Sequence, residues 1–384
     1  MDAQRTQVPP ERAVYLSFDD DRLAELQLAQ LGFLLEEYFR RHPELRGREP
    51  VHWFLDEIQL VSGWERFVRR LLDSERMEIV VSGSSARMLS REVHTSLRGR
   101  GLATVIRPFS FREFLRHRGE EPADHPRTWT ARTRSAIEKR FREFLLHGGF
   151  PEVQGLPLAL GVELLQGYVD TVLFRDVIER YGISQVAALR WLVRHCLRAP
   201  AGHMSVHRLH QDLKSQGHGV AKDALHMMLG HVIDGFLLGA VPLATDSERQ
   251  RNSNSRKLYP ADPGLIRAFD ASGRSNVGHA LETCVFNELE RRGAEVGYVK
   301  TEGGSEVDFL ARYPDGAQEL IQVCADPADD RTRTRELRAL TEAAVLHPRA
   351  RPLLLVLDRD GVASLTHETF QITAAYEWML GAWA

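Results

Sequence analysis

A chain of 384 residues with a formal net charge of −3, 43% hydrophobic and 27% charged residues, has the composition of an ordinary globular protein of two to three domains. The near-neutral balance excludes a global nucleic-acid footprint. No stretch approaches the ~18 apolar residues a membrane-spanning helix needs. The polar, acidic N-terminus carries no signal-peptide pattern, and Cys196, Cys284 and Cys324 form no C-x-x-C pair, so a reducing cytoplasm is expected.

The first predicted strand begins near Val14 and runs through Tyr15-Leu-Ser-Phe-Asp-Asp20. A second, Val51-His-Trp-Phe-Leu-Asp-Glu57, is the most informative stretch. Its apolar run suits a strand buried in a parallel sheet, and its C-terminal end delivers Asp56 and Glu57 to the edge where such sheets bind ligands. That pattern fits a Walker B strand, in which Asp56 would hold Mg²⁺ and Glu57 would orient and deprotonate the water attacking a γ-phosphate. A third strand, Met77-Glu-Ile-Val-Val81, ends in Ser82-Gly-Ser-Ser85. Ser82 or Ser84 is then placed to touch the γ-phosphate. Leu97-Arg-Gly-Arg-Gly101 puts Arg98 and Arg100 on a glycine-flexed turn. A guanidinium suits planar phosphate contacts, so either is a candidate sensor or arginine finger.

The order of these blocks resembles prokaryotic AAA-superfamily ATPases with a C-terminal nuclease-like domain. The resemblance also rests on Trp64-Glu65, Pro108-Phe-Ser-Phe-Arg-Glu-Phe114, Gly148-Gly-Phe-Pro-Glu152, Arg175-Asp176 and Glu306-Val-Asp-Phe-Leu310. It implies ATP and Mg²⁺ as ligands and ATP hydrolysis as activity. One departure is large: no G-x-x-x-x-G-K-[ST] phosphate loop occurs in the 384 residues. Met1–Pro10 resembles the segment just before the family's second strand, so the first strand, the loop and its Lys are read as absent from the N-terminal end rather than mutated. Backbone N–H groups of that loop supply most of a phosphate cradle. The expectation is therefore a chain that neither binds nor hydrolyses ATP well, with the flanks of its parallel sheet exposed.

Beyond Phe114, a polar stretch from Arg116 to Arg134 reads as a linker. Helical periodicity resumes at Ile137, Phe141, Phe144 and Leu145, stops at Gly148-Gly149, and returns from about 161 to 181. Residues 186–268 read as a winged-helix unit. One helix carries Val206, Leu209 and Leu213, and a second starts near Val220. A hairpin of Phe236–Leu238 and Lys257–Tyr259 follows, with 249–256 as the wing tip. Such a unit can enter a DNA major groove, but the second helix holds few Lys or Arg. His203, His207 and His210 have spacing that would set imidazoles on one helix face, and ordinary solvated histidines are expected there.

The C-terminal stretch has a helix over 278–292 with Glu282, a strand with Asp308, and a strand with Gln322 and Cys324. This order is similar to restriction-type nucleases, in which carboxylates hold Mg²⁺ and a Lys stabilises the attacking hydroxide. The resemblance assigns the metal ligands to Glu282, Asp308 and Gln322 and the Lys position to Cys324. An amide and a thiol there imply a degenerate site, with nuclease activity not expected. Glu306 shares a strand face with Asp308, whereas Glu319 lies opposite Gln322.

The fold class expected is α/β. Residues 1–118 form an N-terminally incomplete P-loop AAA-type parallel sheet, 119–185 a helical subdomain, 186–270 a winged-helix-like unit and 271–384 a nuclease-like domain. Function is read as an AAA-type ATP-binding protein with impaired ATP binding. A non-enzymatic DNA- or protein-binding remnant and a metal-dependent nuclease stand as alternatives. A homo-oligomer would suit an arginine finger acting between subunits.

Overall fold

The computed structural model describes residues 8–23, 26–84, 91–270, 276–365, 367 and 369–381. The chain divides into two compact units, residues 1–105 and 106–384. Ser85, and Met1–Gln7 of the opening segment, lie outside the described residues.

In the first unit β1 (Ala13–Ser17), β2 (Val51–Asp56) and β3 (Met77–Val81) form a parallel sheet with β2 in the centre. One face is a core: Val51, Trp53 and Leu55 of β2 are buried with Leu31, Leu35 and Phe39. Those three recur every fourth residue along the helix Leu28–Arg41, which puts them on one stripe. Phe67, Val68 and Leu71 of the helix Trp64–Ser74 complete it. The other face is thinner. Tyr15, Phe54 and Val80 stand in register across the three strands, and Tyr15 is 44% and Val80 55% exposed. A parallel sheet usually has both faces covered, and this face is covered only in part.

The second unit begins with the helix Phe111–His117, closed by a Ser110–Glu113 capping box. The segment read as a linker holds a short turn, Pro126–Thr128, and buries Trp129. The helix Ala131–His147 ends at Gly148 and Gly149, which wrap the buried carboxylate of Asp262. Gly149 N–H donates to it at 2.6 Å and Gly264 N–H at 2.8 Å. A Cβ on Gly148, at φ +80°, would lie 1.8 Å from Asp262 Oδ1. This contact requires glycine there. The helix Leu158–Val172 continues as a π-helical turn, Leu173–Glu179, which carries Arg175 and Asp176.

Next come the helix Val186–Arg198, β4 (His203–Met204), the helices Val206–Ser215 and Lys222–Asp234, then β5 (Leu238–Val241) and β6 (Arg256–Pro260). The three strands form an antiparallel sheet in the order β4-β6-β5. His203 therefore lies on a strand, not on the helix of His207 and His210. Ser205 caps that helix, so it starts too late to include His203.

The last sheet is mixed, in the order β11-β10-β9-β8-β7: β7 (Glu295–Lys300), β8 (Glu306–Arg312), β9 (Gln318–Cys324), β10 (Arg351–Val356) and β11 (Gln371–Ala374). Hairpins make β7, β8 and β9 antiparallel, and β9, β10 and β11 run parallel. Alternate residues serve two cores. Phe309, Ile321 and Leu355 pack with the helix Val277–Arg291, while Leu310, Leu320 and Leu354 pack with the helix Asp330–Leu346. Among the described residues, no helix is long and apolar enough to cross a membrane.

Candidate functional site

In the first unit, Asp56 closes β2 and Glu57 follows it in the left-handed region, at φ +52°. That backbone turn stores on the order of 1 kcal/mol in a non-glycine residue. Tyr15 Oη donates to Asp56 Oδ2 at 2.6 Å, and Ser82 Oγ donates to Oδ1. These hydrogen bonds, Ser82's first and Tyr15's second, hold the Asp56 carboxyl below its ordinary range against the opposing effect of burial. Among the described residues, no Lys, Arg or His forms an ion pair with Asp56. A carboxylate oxygen has two lone pairs, so Asp56 keeps acceptor capacity for a cation or its water. Gln59 Nε2 donates to Glu57.

Ser82 thus reaches the neighbouring strand's carboxylate, as its position after β3 suggests, and Ser84 lies two residues further on. Arg98 and Arg100 stand elsewhere in the unit. Arg100 Nη2 donates to Asp73 Oδ1 at 2.6 Å, and Arg98 adds its charge beside the same carboxylate. Tyr15 is the residue that sequence reasoning missed here. Only the register of β1 on β2, which pairs Tyr15 with Phe54 two places before Asp56, brings its hydroxyl to the site.

In the second unit, Glu282, Asp308 and Gln322 do come together, but around a lysine. Lys257 on β6 is 4% exposed, and its Nζ lies 2.8 Å from Asp308 Oδ1, 3.0 Å from Glu306 Oε1 and 3.3 Å from Glu282 Oε1. An ammonium has three donors and no acceptor, and each donor has a carboxylate. The other Asp308 oxygen accepts from Gln322 Nε2 at 2.9 Å and from Val323 N–H at 3.0 Å. Gln322 also donates to Glu336, which Arg335 pairs. His203 Nε2 stands 2.5 Å from Glu306 Oε2, and Tyr259 Oη donates to Glu282 at 2.7 Å.

Burial works against the Lys257 ammonium, but Asp308, Glu282 and Glu306 outweigh it and keep Lys257 charged. Burial and the neighbouring Asp308 push the Glu282 carboxyl up, and the Lys257 ammonium and the Tyr259 hydroxyl oppose that rise. Glu306, despite burial, is held at about 2 by His203 and Lys257. Cys324, at the position where the resemblance has a Lys, is buried with its thiol raised to about 11 by that burial. Lys257, Tyr259, Glu336 and His203 were all outside the predicted ligand set, whereas Glu306 was already set on the strand face of Asp308. One signal for Lys257 was in view: it opens an apolar strand in a chain with only five lysines.

The divalent cation implied by the resemblance does not fit this arrangement. Hard cations take oxygen lone pairs at roughly 2.0–2.6 Å around a shared centre, and that centre is held by Nζ. Among the described residues, no group of three or more His, Cys, Asp or Glu side chains is arranged to hold a metal.

Residues 2–115 match the AAA domain family, and residues 138–276 match a domain of unknown function (DUF8612). The uncharacterized protein MJ1544 of Methanocaldococcus jannaschii is 32% identical over 335 residues, 86% of this chain and 72% of that protein. An uncharacterized protein of Haemophilus influenzae is 27% identical over 313 residues, 81% and 74% of the two chains. Among solved structures, the Walker-type ATPase PABY2304 of Pyrococcus abyssi aligns over 65% of this chain and 71% of its own. The identity is 13% and the TM-score 0.34. At that score the two chains need not share a fold.

Proposed function

This chain belongs to the family of the Methanocaldococcus jannaschii protein MJ1544, and from that premise we propose that its AAA-like N-terminal region is an ATP-handling module built on Asp56 and Glu57. The observation that carries the reading is the placement of Asp56. It ends the central parallel strand with Ser82 of the next strand against it and, among the described residues, no cation paired to it. Asp56 would hold Mg²⁺, Ser82 and Tyr15 fix the carboxylate, and Glu57 is the general base. When bound, Mg²⁺ supplies charge neutralisation at the phosphates. Ser84 is assigned to the γ-phosphate. Arg98 and Arg100, beside Asp73, serve as sensor or finger only if they leave that carboxylate.

With no G-x-x-x-x-G-K-[ST] sequence in the 384 residues, this reading expects ATP affinity to be weak. The strand and helix order over 186–270, with its β4-β6-β5 sheet, supports a winged-helix-like unit, and the helix–hairpin–strand order over 277–324 supports a nuclease-like shape for the last domain. Calorimetry of Mg²⁺–ATP on the chain, beside a version preceded in frame by a phosphate-loop segment, tests the reading. Weak binding by the chain that the segment strengthens, lost in both proteins on Asp56→Ala, supports it. No binding in either protein sinks it.

A further inference from the structure

The last domain carries the acidic constellation of a metal site, but a cation already sits in it. We propose that the Lys257 ammonium is the resident cation of this site, standing where a divalent metal would stand, so that the domain fastens β6 to the mixed sheet and takes up no metal.

The geometry converges on Nζ. Glu282 comes from the helix Val277–Arg291 and Glu306 and Asp308 from β8, and each turns one oxygen to Lys257 within 3.3 Å. An ammonium and a divalent ion compete for the same lone pairs, and here they differ in one respect that decides the outcome. The lysine is tethered to β6, so its local concentration is fixed by the fold, while a metal must come from solution and expel it. A fully desolvated ammonium with no remaining partner is strongly disfavoured. Gln322 supports the assignment. A carboxylate there would add a further negative charge beside Asp308 and Glu336, which a single ammonium would not offset. The amide instead donates to both. His203 on β4 adds a second tie, through Glu306, between the antiparallel sheet and β8. The two sheets are thereby joined through charge at positions that a cleaving enzyme would keep open for metal and phosphate.

This inference is independent of the ATP reading, and its test is arranged so. Mn²⁺ is titrated into the chain carrying Asp56→Ala, which removes the N-terminal carboxylate, and bound metal is read by loss of the free Mn²⁺ electron-spin signal. The expected result is no binding that depends on Asp308, so that adding Asp308→Asn changes nothing. Lys257→Ala in the same background is expected to gain one bound Mn²⁺ per chain, lost again when Asp308→Asn is added. Mn²⁺ bound with Lys257 intact and abolished by Asp308→Asn overturns the proposal, and so does a folded Lys257→Ala protein that binds none. Should Lys257→Ala fail to fold, Lys257→Gln takes its place, retaining a donor without the charge. The comparison of Asp56→Ala chains with and without Asp308→Asn, both with Lys257 intact, decides without either lysine variant.

Discussion

Asp56 and Asp308 are both carboxylates carried by strands of a sheet and both accept hydrogen bonds from neighbouring chain segments, but only Asp308 has a cation among its partners. Asp56 is held by two hydroxyls, Tyr15 and Ser82, while Asp308 is held by an amide, a backbone N–H and the Lys257 ammonium. Hydroxyls orient a carboxylate and leave its charge unpaired. An ammonium neutralises it. The first arrangement suits a ligand that brings positive charge, and the second suits a permanent joint. Acidic residues on a strand thus say little about metal chemistry until the nearest cation is known.

The largest expected effect follows from breaking the joint. Lys257→Ala leaves buried carboxylates without their cation and is expected to lower stability by about 3–5 kcal/mol, measured as a shift in denaturation midpoint of the second unit. Asp308→Asn added to it is expected to recover part of that loss, because the two residues are coupled. A Lys257→Ala protein as stable as the parent would mean that the ammonium is incidental.

Asp262 sharpens the comparison as a buried carboxylate that, among the described residues, accepts from backbone N–H groups and forms no ion pair. Burial raises it to about 7 from its ordinary 3.8, against the two backbone N–H groups of Gly149 and Gly264. The native state therefore keeps this proton after the unfolded chain has released it. Its contribution is fully present below about pH 4 and is lost as pH rises toward 7, at about 1.4 kcal/mol for each pH unit of that lag. Thermal melts at pH 5 and pH 8 are expected to show a steeper loss for the parent than for Asp262→Asn. Equal slopes in the two proteins would show that the carboxyl titrates normally.

Asp56→Ala is expected to change stability least, by under about 1 kcal/mol, since it removes a partly exposed group from two hydroxyl contacts. A loss comparable to that of Lys257→Ala would make Asp56 structural and dissolve the contrast. Plasmid DNA incubated with the parent and Mn²⁺ is expected to stay intact on a gel.

What the sequence made legible follows from range. The run Val51–Leu55 and its closing acids are local, so a central parallel strand and its carboxylates could be read directly, as could Ser82 after the next apolar run. The match of residues 2–115 to the AAA domain family agrees with that reading. Contacts set by long-range register stayed hidden. Lys257 lies 25 residues from Glu282 and 51 from Asp308, on a different sheet from the latter, and no periodicity links them. His203 was placed on a helix because a two-residue strand has no pattern of its own. The sequence reads Gln322 as a weak metal ligand, whereas the structure shows its amide bridging Asp308 and Glu336.

The most direct measurement is calorimetry of Mg²⁺–ATP on the 384-residue chain beside its Asp56→Ala and Asp308→Asn variants. Weak binding, with a Kd roughly in the millimolar range or above, removed by Asp56→Ala and untouched by Asp308→Asn, is the expected result. Binding that ignores Asp56→Ala, or that disappears with Asp308→Asn, would place the ligand-ready carboxylates in the wrong unit and contradict the account.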